Sequence, residues 1–170
     1  MGLIDLRGKN VRLRSINPTD RDRLLAIRRT EKVRSRWRGE NLDAQFDEDL
    51  LDDDLHQLVI ETLKGEIIGM IQFEEEQDPD YRNASLDIYI DPASHRRGYA
   101  ADAIRTLVNY LFDNLDHHRL TVDPATDNTA AIACYSKVGF KPVGTMRAHE
   151  RQPDGSWTDA LLMDILPSDR

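Results

Sequence analysis

Leu86-Asp87-Ile88-Tyr89-Ile90 runs through Asp91-Pro92 into His95-Arg96-Arg97-Gly98-Tyr99-Ala100 and on to Asn114. The first five residues alternate. Leu86, Ile88 and Ile90 fall on one side and Asp87 and Tyr89 on the other, the period of a half-buried strand. From Gly98 to Asn114 the period changes: Ala103, Ile104, Leu107, Val108, Leu111 and Phe112 recur at helical spacing. A strand that passes through a small-residue loop into a helix N-terminus is a natural anion site. The first N–H groups of the helix lack intrahelical partners, and the helix dipole favours negative charge. Gly98 and Ala100 let the backbone approach a pyrophosphate closely, and Arg96 and Arg97 add positive charge. Taken alone, the same pattern also describes a solvated cap.

Working outward, the N-terminal side predicts a first strand over Asn10 to Ile16 and a helix opened by Asn17-Pro18-Thr19-Asp20, with Leu24, Leu25 and Ile27 on its apolar face. A second helix is expected from Asp43 to Leu55, with Phe46, Leu50 and Leu51 on one side. Leu58 to Ile60 and Ile67 to Ile71 flank Lys64-Gly65-Glu66 as a hairpin, and an acidic stretch, Glu74 to Asp80, follows as a strand end or loop. On the C-terminal side, a short strand is expected over Arg119 to Val122 and a helix over Asn128 to Val138, capped by Gly139. Strands over Phe140 to His149 and Trp157 to Leu166 flank Pro153-Asp154-Gly155. No repeat or linker divides the chain, so residues 1–170 are expected to form one domain.

Length and composition fit that expectation. The chain has 170 residues, 39% hydrophobic and 32% charged, enough apolar material for one core. A single cysteine, Cys134, excludes an intrachain disulfide and a Cys-rich zinc module, and points to a cytoplasmic location. No apolar run is long enough to span a membrane, and the start resembles neither a signal peptide nor a myristoylation site. The net charge of −8 is uneven: residues 1–40 carry +7, residues 41–91 carry −14 and residues 92–170 carry −1. The acidic middle would attract cations and repel phosphate backbones, so no nucleic-acid partner is expected. His117-His118 lacks a further ligand at metal spacing, and no metal is expected.

Thirty residues past Gly98 stands Asn128-Thr129-Ala130-Ala131-Ile132-Ala133-Cys134-Tyr135-Ser136-Lys137-Val138-Gly139-Phe140. Together the two segments resemble the GCN5-related N-acetyltransferases. That family carries Gln/Arg-x-x-Gly-x-Gly/Ala at its acyl-CoA loop, then Asn, a Tyr seven residues later and Gly-Phe. Gly98 and Ala100 match, while His95 stands where Gln or Arg is usual. Glu74 to Pro79, Leu86-Asp87-Ile88 and Thr121-Val122-Asp123-Pro124 look like the aminoglycoside 6′-N-acetyltransferases. Val11 to Arg14 with Asn17 to Asp20 looks equally like the ribosomal-protein N-terminal acetyltransferases.

The resemblance implies an α/β (α+β) fold: a mixed, mostly antiparallel central sheet flanked by helices. It implies acetyl-CoA as cofactor, bound by His95, Arg96, Arg97, Gly98, Tyr99, Ala100 and Ala101, by backbone around Ile88, Tyr89 and Ile90, and by Asn128 and Tyr135. The acceptor would be a primary amine of a cationic small molecule, an aminoglycoside among the options. A peptide N-terminus or lysine, or a non-catalytic acyl-CoA sensor, are the alternatives. An alkylamine of pKa about 10.4 is protonated at neutral pH, so a base must take its proton. Asp87 is the candidate base; an ordinary salt-bridged strand aspartate is the alternative. Tyr135 is the candidate acid toward the departing thiolate; a packed helix tyrosine is the alternative. Glu74, Glu75 and Glu76, with Asp87, are the candidate acceptor-binding carboxylates, and the Asp52-Asp53-Asp54 run is either substrate-facing or plain surface. Cys134 reads as a buried small thiol rather than a nucleophile, and Trp37 and Trp157 as core or pocket lining. Apolar residues on the last strands offer a surface for a homodimer.

Overall fold

The computed structural model describes residues 3–52 and 54–170; Met1, Gly2 and Asp53, the middle of the acidic run, lie outside the described residues. The strands are β1 (Asp5–Arg7), β2 (Val11–Ser15), β3 (Leu55–Thr62), β4 (Ile67–Glu76), β5 (Asn83–Ile90), β6 (Leu120–Val122), β7 (Lys141–Arg151) and β8 (Trp157–Ile165). They form a single sheet in the order β1-β2-β3-β4-β5-β6-β8-β7. Every neighbouring pair is antiparallel except β5 and β6, which are parallel. Parallel neighbours need a crossover, and the long helix α4 (Tyr99–Asp113) supplies it. The helices α1 (Arg21–Arg28), α2 (Glu31–Arg34), α3 (Leu42–Asp49) and α5 (Thr129–Val138) complete the fold.

The sheet separates two apolar layers. On one face, Ile104, Leu107, Val108 and Leu111 of α4 pack against Leu13, Ile60, Ile71, Phe73 and Leu86. On the other, Leu24, Leu25 and Ile27 of α1 and Phe46 of α3 pack against Val59, Met70 and Tyr89. Thus Leu86 and Ile90 face α4 while Tyr89 faces α1, as the alternation of the strand requires. Asp102 ties the start of α4 to the sheet edge: its carboxylate accepts N–H bonds from Lys9, Asn10 and Val11 at 3.2, 2.6 and 3.2 Å.

Several expectations are corrected. The second helix stops at Asp49, and Leu55 opens β3 instead of closing that helix. Leu50 and Leu51 are exposed and only Phe46 of the expected apolar face is buried. A helix end rich in aspartate is poorly placed against the dipole, and the strand takes over. Of the two readings of the glutamate trio the structure takes the strand end: β4 runs on to Glu76. β1 and α2 are too short to show a period in sequence.

Candidate active site

Pairing between β5 and β6 covers Ala84↔Leu120 and Ser85↔Thr121 and then stops, although β5 continues to Ile90. The two parallel strands therefore part along Leu86 to Ile90. Backbone directions alternate along a strand. Ala84 donates its N–H to Arg119 on the β6 side, and Asp91 donates to Ile68 on the β4 side. The N–H groups of Ile88 and Ile90 therefore point into the opening. Their carbonyls are engaged: Trp37 Nε1–H donates to Ile88 O at 3.3 Å, and His95 Nε2–H donates to Ile90 O at 2.9 Å. Trp37 also meets Tyr89 edge to face, 4.9 Å between centroids. His95 thus braces the loop against β5, which gives its side chain a structural task.

At the end of the opening, Gly98 takes φ +79°, and a Cβ there would meet nothing within 4 Å. The conformation is left-handed, which glycine adopts without strain. The helical bond from Asp102 N to Gly98 O leaves the N–H groups of Tyr99, Ala100 and Ala101 as unpaired first-turn donors. Arg96, itself at φ +61°, and Arg97 are exposed beside them. Asn128 caps α5 by accepting the Ala131 N–H at 3.3 Å.

Asp87 pairs with Gln72 across β4, as Ser85 pairs with Glu74 and Tyr89 with Met70. Antiparallel partners share a face, so Asp87, Glu74, Gln72 and Tyr89 stand together on the α1 side. The register Ser85↔Thr121, continued two residues along both strands, sets Asp123 opposite Asp87 across the opening. Asp87 is exposed to solvent, yet protein crowds it on most sides. Desolvation, then the charges of Asp123, Glu74 and Glu150, pushes its carboxyl up to about 7. The carboxylate is accessible to a small molecule, and its raised pKa suits proton exchange near neutral pH.

Tyr135 is buried and packs edge to face on Phe140 at 5.5 Å. Burial, then the charges of Asp87, Cys134 and Asp123, pushes its hydroxyl well above the ordinary tyrosine range. The hydroxyl keeps its proton. A protonated hydroxyl in this place can donate a hydrogen bond. Burial also pushes the Cys134 thiol up, which disfavours the nucleophilic thiolate.

The glutamate trio divides. Glu74 faces Asp87. Glu76 pairs with Asn83 at the strand end and accepts the Asp78 N–H at 2.9 Å. Glu75 lies on the opposite face, on His117 Nε2 at 2.8 Å and His56 Nε2 at 3.4 Å. It therefore does not join the acceptor-facing group. The side chains that sequence reasoning passed over as site members are Asp123, Glu150 and His149. Only the sheet register and a bulge in β7 bring them to the opening, and neither is legible in residue spacing. Among the described residues, no helix is long and apolar enough to cross a membrane.

The chain belongs to the acetyltransferase (GNAT) domain family, whose model matches residues 10–141. It is similar to the aminoglycoside N(6′)-acetyltransferase type 1 of Klebsiella pneumoniae, 34% identical over 108 residues that cover 56% of this chain and 51% of that protein. It is also similar to the spermidine N(1)-acetyltransferase of Vibrio cholerae, 26% identical over 129 residues, 76% of this chain and 73% of that protein. The chain spans about half the length of the aminoglycoside relatives it matches. In fold it matches the crystal structure of spermidine N-acetyltransferase from Vibrio cholerae in complex with CoA and spermine. The TM-score is 0.81 at 23% identity, over 94% of this chain and 97% of that one.

Proposed function

We propose that this protein transfers the acetyl group of acetyl-CoA to a primary amine of a cationic small molecule, with aminoglycoside-type amines the favoured acceptors. The observation that carries this reading is Asp87. It is a solvent-accessible carboxylate held near pKa 7 beside Glu74, Asp123 and Glu150, at the place where β5 and β6 part.

The residues present fit an acyl-CoA. The open left-handed Gly98, the first-turn N–H groups of α4, and Arg96 and Arg97 form a cradle for a pyrophosphate. The N–H groups of Ile88 and Ile90 offer strand-like donors to an extended arm. Bound acetyl-CoA supplies the acetyl group as a thioester. The carboxylates of Asp87 and Glu74 draw the ammonium in, and Asp87 takes its proton, leaving a neutral nitrogen. Donors in the opening would stabilise the thioester carbonyl oxygen as it gains charge. The Tyr135 hydroxyl would donate a hydrogen bond to the sulfur as it leaves.

The charge pattern supports a cationic acceptor, as do the names of the aminoglycoside and spermidine relatives. One protein chain acting in the cytoplasm on a soluble amine fits its composition. The test is amine-dependent thiol release from acetyl-CoA over aminoglycosides, polyamines and free-N-terminus peptides. Turnover that requires a 6′-amine is the expected result. Turnover on peptides alone would replace the acceptor assignment, and cofactor binding without turnover on any amine would favour a sensor.

A further inference from the structure

The long strand β7 breaks register with β8 between Met146 and Glu150. Within the break, Ala148 takes φ +49°, a left-handed conformation that a Cβ-bearing residue adopts only when its surroundings demand it. Its N–H donates to Asp159 Oδ1 at 2.8 Å, which pins the bulge from β8. The next residue is His149, and its Nε2–H donates to Asp123 Oδ2 at 2.9 Å. Bulges beside active sites re-aim side chains, and this one aims an imidazole at the carboxylate opposite Asp87.

We propose that His149 is a positioning residue for the reaction: its ring N–H, aimed by the bulge, fixes the Asp123 carboxylate across the opening from Asp87. The kinetic part rests on the acetyl-transfer reading, in which Asp87 is the base. The groups that face the two carboxylates single out His149. From β4 comes Glu74, from β7 Glu150, and from α5 the buried Tyr135 hydroxyl. Arg38 already holds Glu150 at 2.8 Å, and Arg36 holds Asp127 at 2.7 Å. Asp159 is engaged by the Ala148 N–H. Arg147 and Arg151 flank His149 along β7, outside these pairs. Asp123 is therefore the carboxylate that the imidazole holds.

The hold is a hydrogen bond between two half-exposed side chains, so its effect is on the geometry of the opening rather than on its net charge. It keeps Asp123 at a fixed distance from Asp87, on whose carboxyl the Asp123 charge acts.

Two arms test this. In the protein without cofactor or acceptor, the His149 Nε2–H proton is followed by NMR, its signal assigned by its loss in H149Q. Asp123→Asn is expected to shift or broaden that signal, and a signal unmoved in the variant overturns the assignment. In steady-state kinetics, His149→Ala is expected to lower kcat/KM for the acceptor by about three- to tenfold with KM for acetyl-CoA unchanged. H149Q, which keeps a donor, is expected to restore most of it, and the double variant His149→Ala, Asp123→Asn to lose no more than Asp123→Asn alone. His149→Ala kinetics equal to wild type, or losses that add in the double variant, overturn the proposal. Absence of turnover on every amine sinks the acetyl-transfer reading instead, and the NMR arm still decides the contact.

Discussion

Glu74 and Glu75 are neighbours in the chain and have opposite fates. Glu74 stands on the open face of β4 beside Asp87. Glu75 points the other way, under the end of α4, where His117 is fully enclosed and His56 lies tilted on Phe73 at 4.6 Å. One carboxylate is left available to solvent and ligands. The other is consumed by a buried polar cluster that holds β3, β4 and the segment after α4 together. The pleat makes the division: a step of one residue along a strand exchanges the two faces of the sheet. An acidic run within a strand is therefore two half-runs with separate duties.

The sharpest way to break this contrast is at Asp87. Asp87→Asn is expected to lower kcat/KM by about 10²- to 10⁴-fold and to abolish the ionisation near pH 7, read from the pH–rate profile. The same variant should melt higher, and its gain should be larger at pH 8 than at pH 4. Asp87 carries a raised pKa in the fold, so stability falls as pH rises from the unfolded value toward 7, and asparagine escapes that loss. Glu75→Ala should do the reverse. Activity per folded molecule stays within a few fold, while stability in urea drops by roughly 1–3 kcal/mol, because His117 Nε2 is left buried without its partner. A thousandfold loss of activity in Glu75→Ala would erase the contrast.

Glu74→Gln is expected to raise KM for a cationic acceptor by about threefold with kcat nearly unchanged, the signature of a removed exposed charge. The smallest effect is in the buried cluster. Burial lowers the His117 pKa below its ordinary value despite Glu75. The unfolded chain therefore binds the extra proton first, and stability falls as pH drops below about 6.5. His117→Gln should flatten that part of the stability curve without moving the activity profile.

Much of this site was legible in residue order. The strand Leu86 to Ile90, the helix from Gly98 and the capping of the next helix by Asn128 and Gly139 were read directly, since period, glycine and cap residues are local signals. The opposed faces of Asp87 and Tyr89 against Leu86 and Ile90 followed from the same alternation. The boundary of the second helix did not, because Leu50 and Leu51 mimic an apolar stripe that in fact faces solvent. No local pattern separates Glu75 from Glu74, because its partners lie on β3 and beyond α4, far away in sequence. Asp123, Glu150 and His149 reach the opening through parallel pairing and a bulge, and both depend on partners that no local pattern names.

Residue order alone determined the strand–loop–helix cradle, the helical asparagine and tyrosine, and the concentration of negative charge, since these depend on backbone preferences and periodicity within a few residues. Tertiary structure decided how far β5 and β6 stay paired, which carboxylates share the opening, and that Tyr135 is buried against Phe140. Those properties arise from register, desolvation and charge proximity between distant segments, and they exist only once the sheet has closed around them.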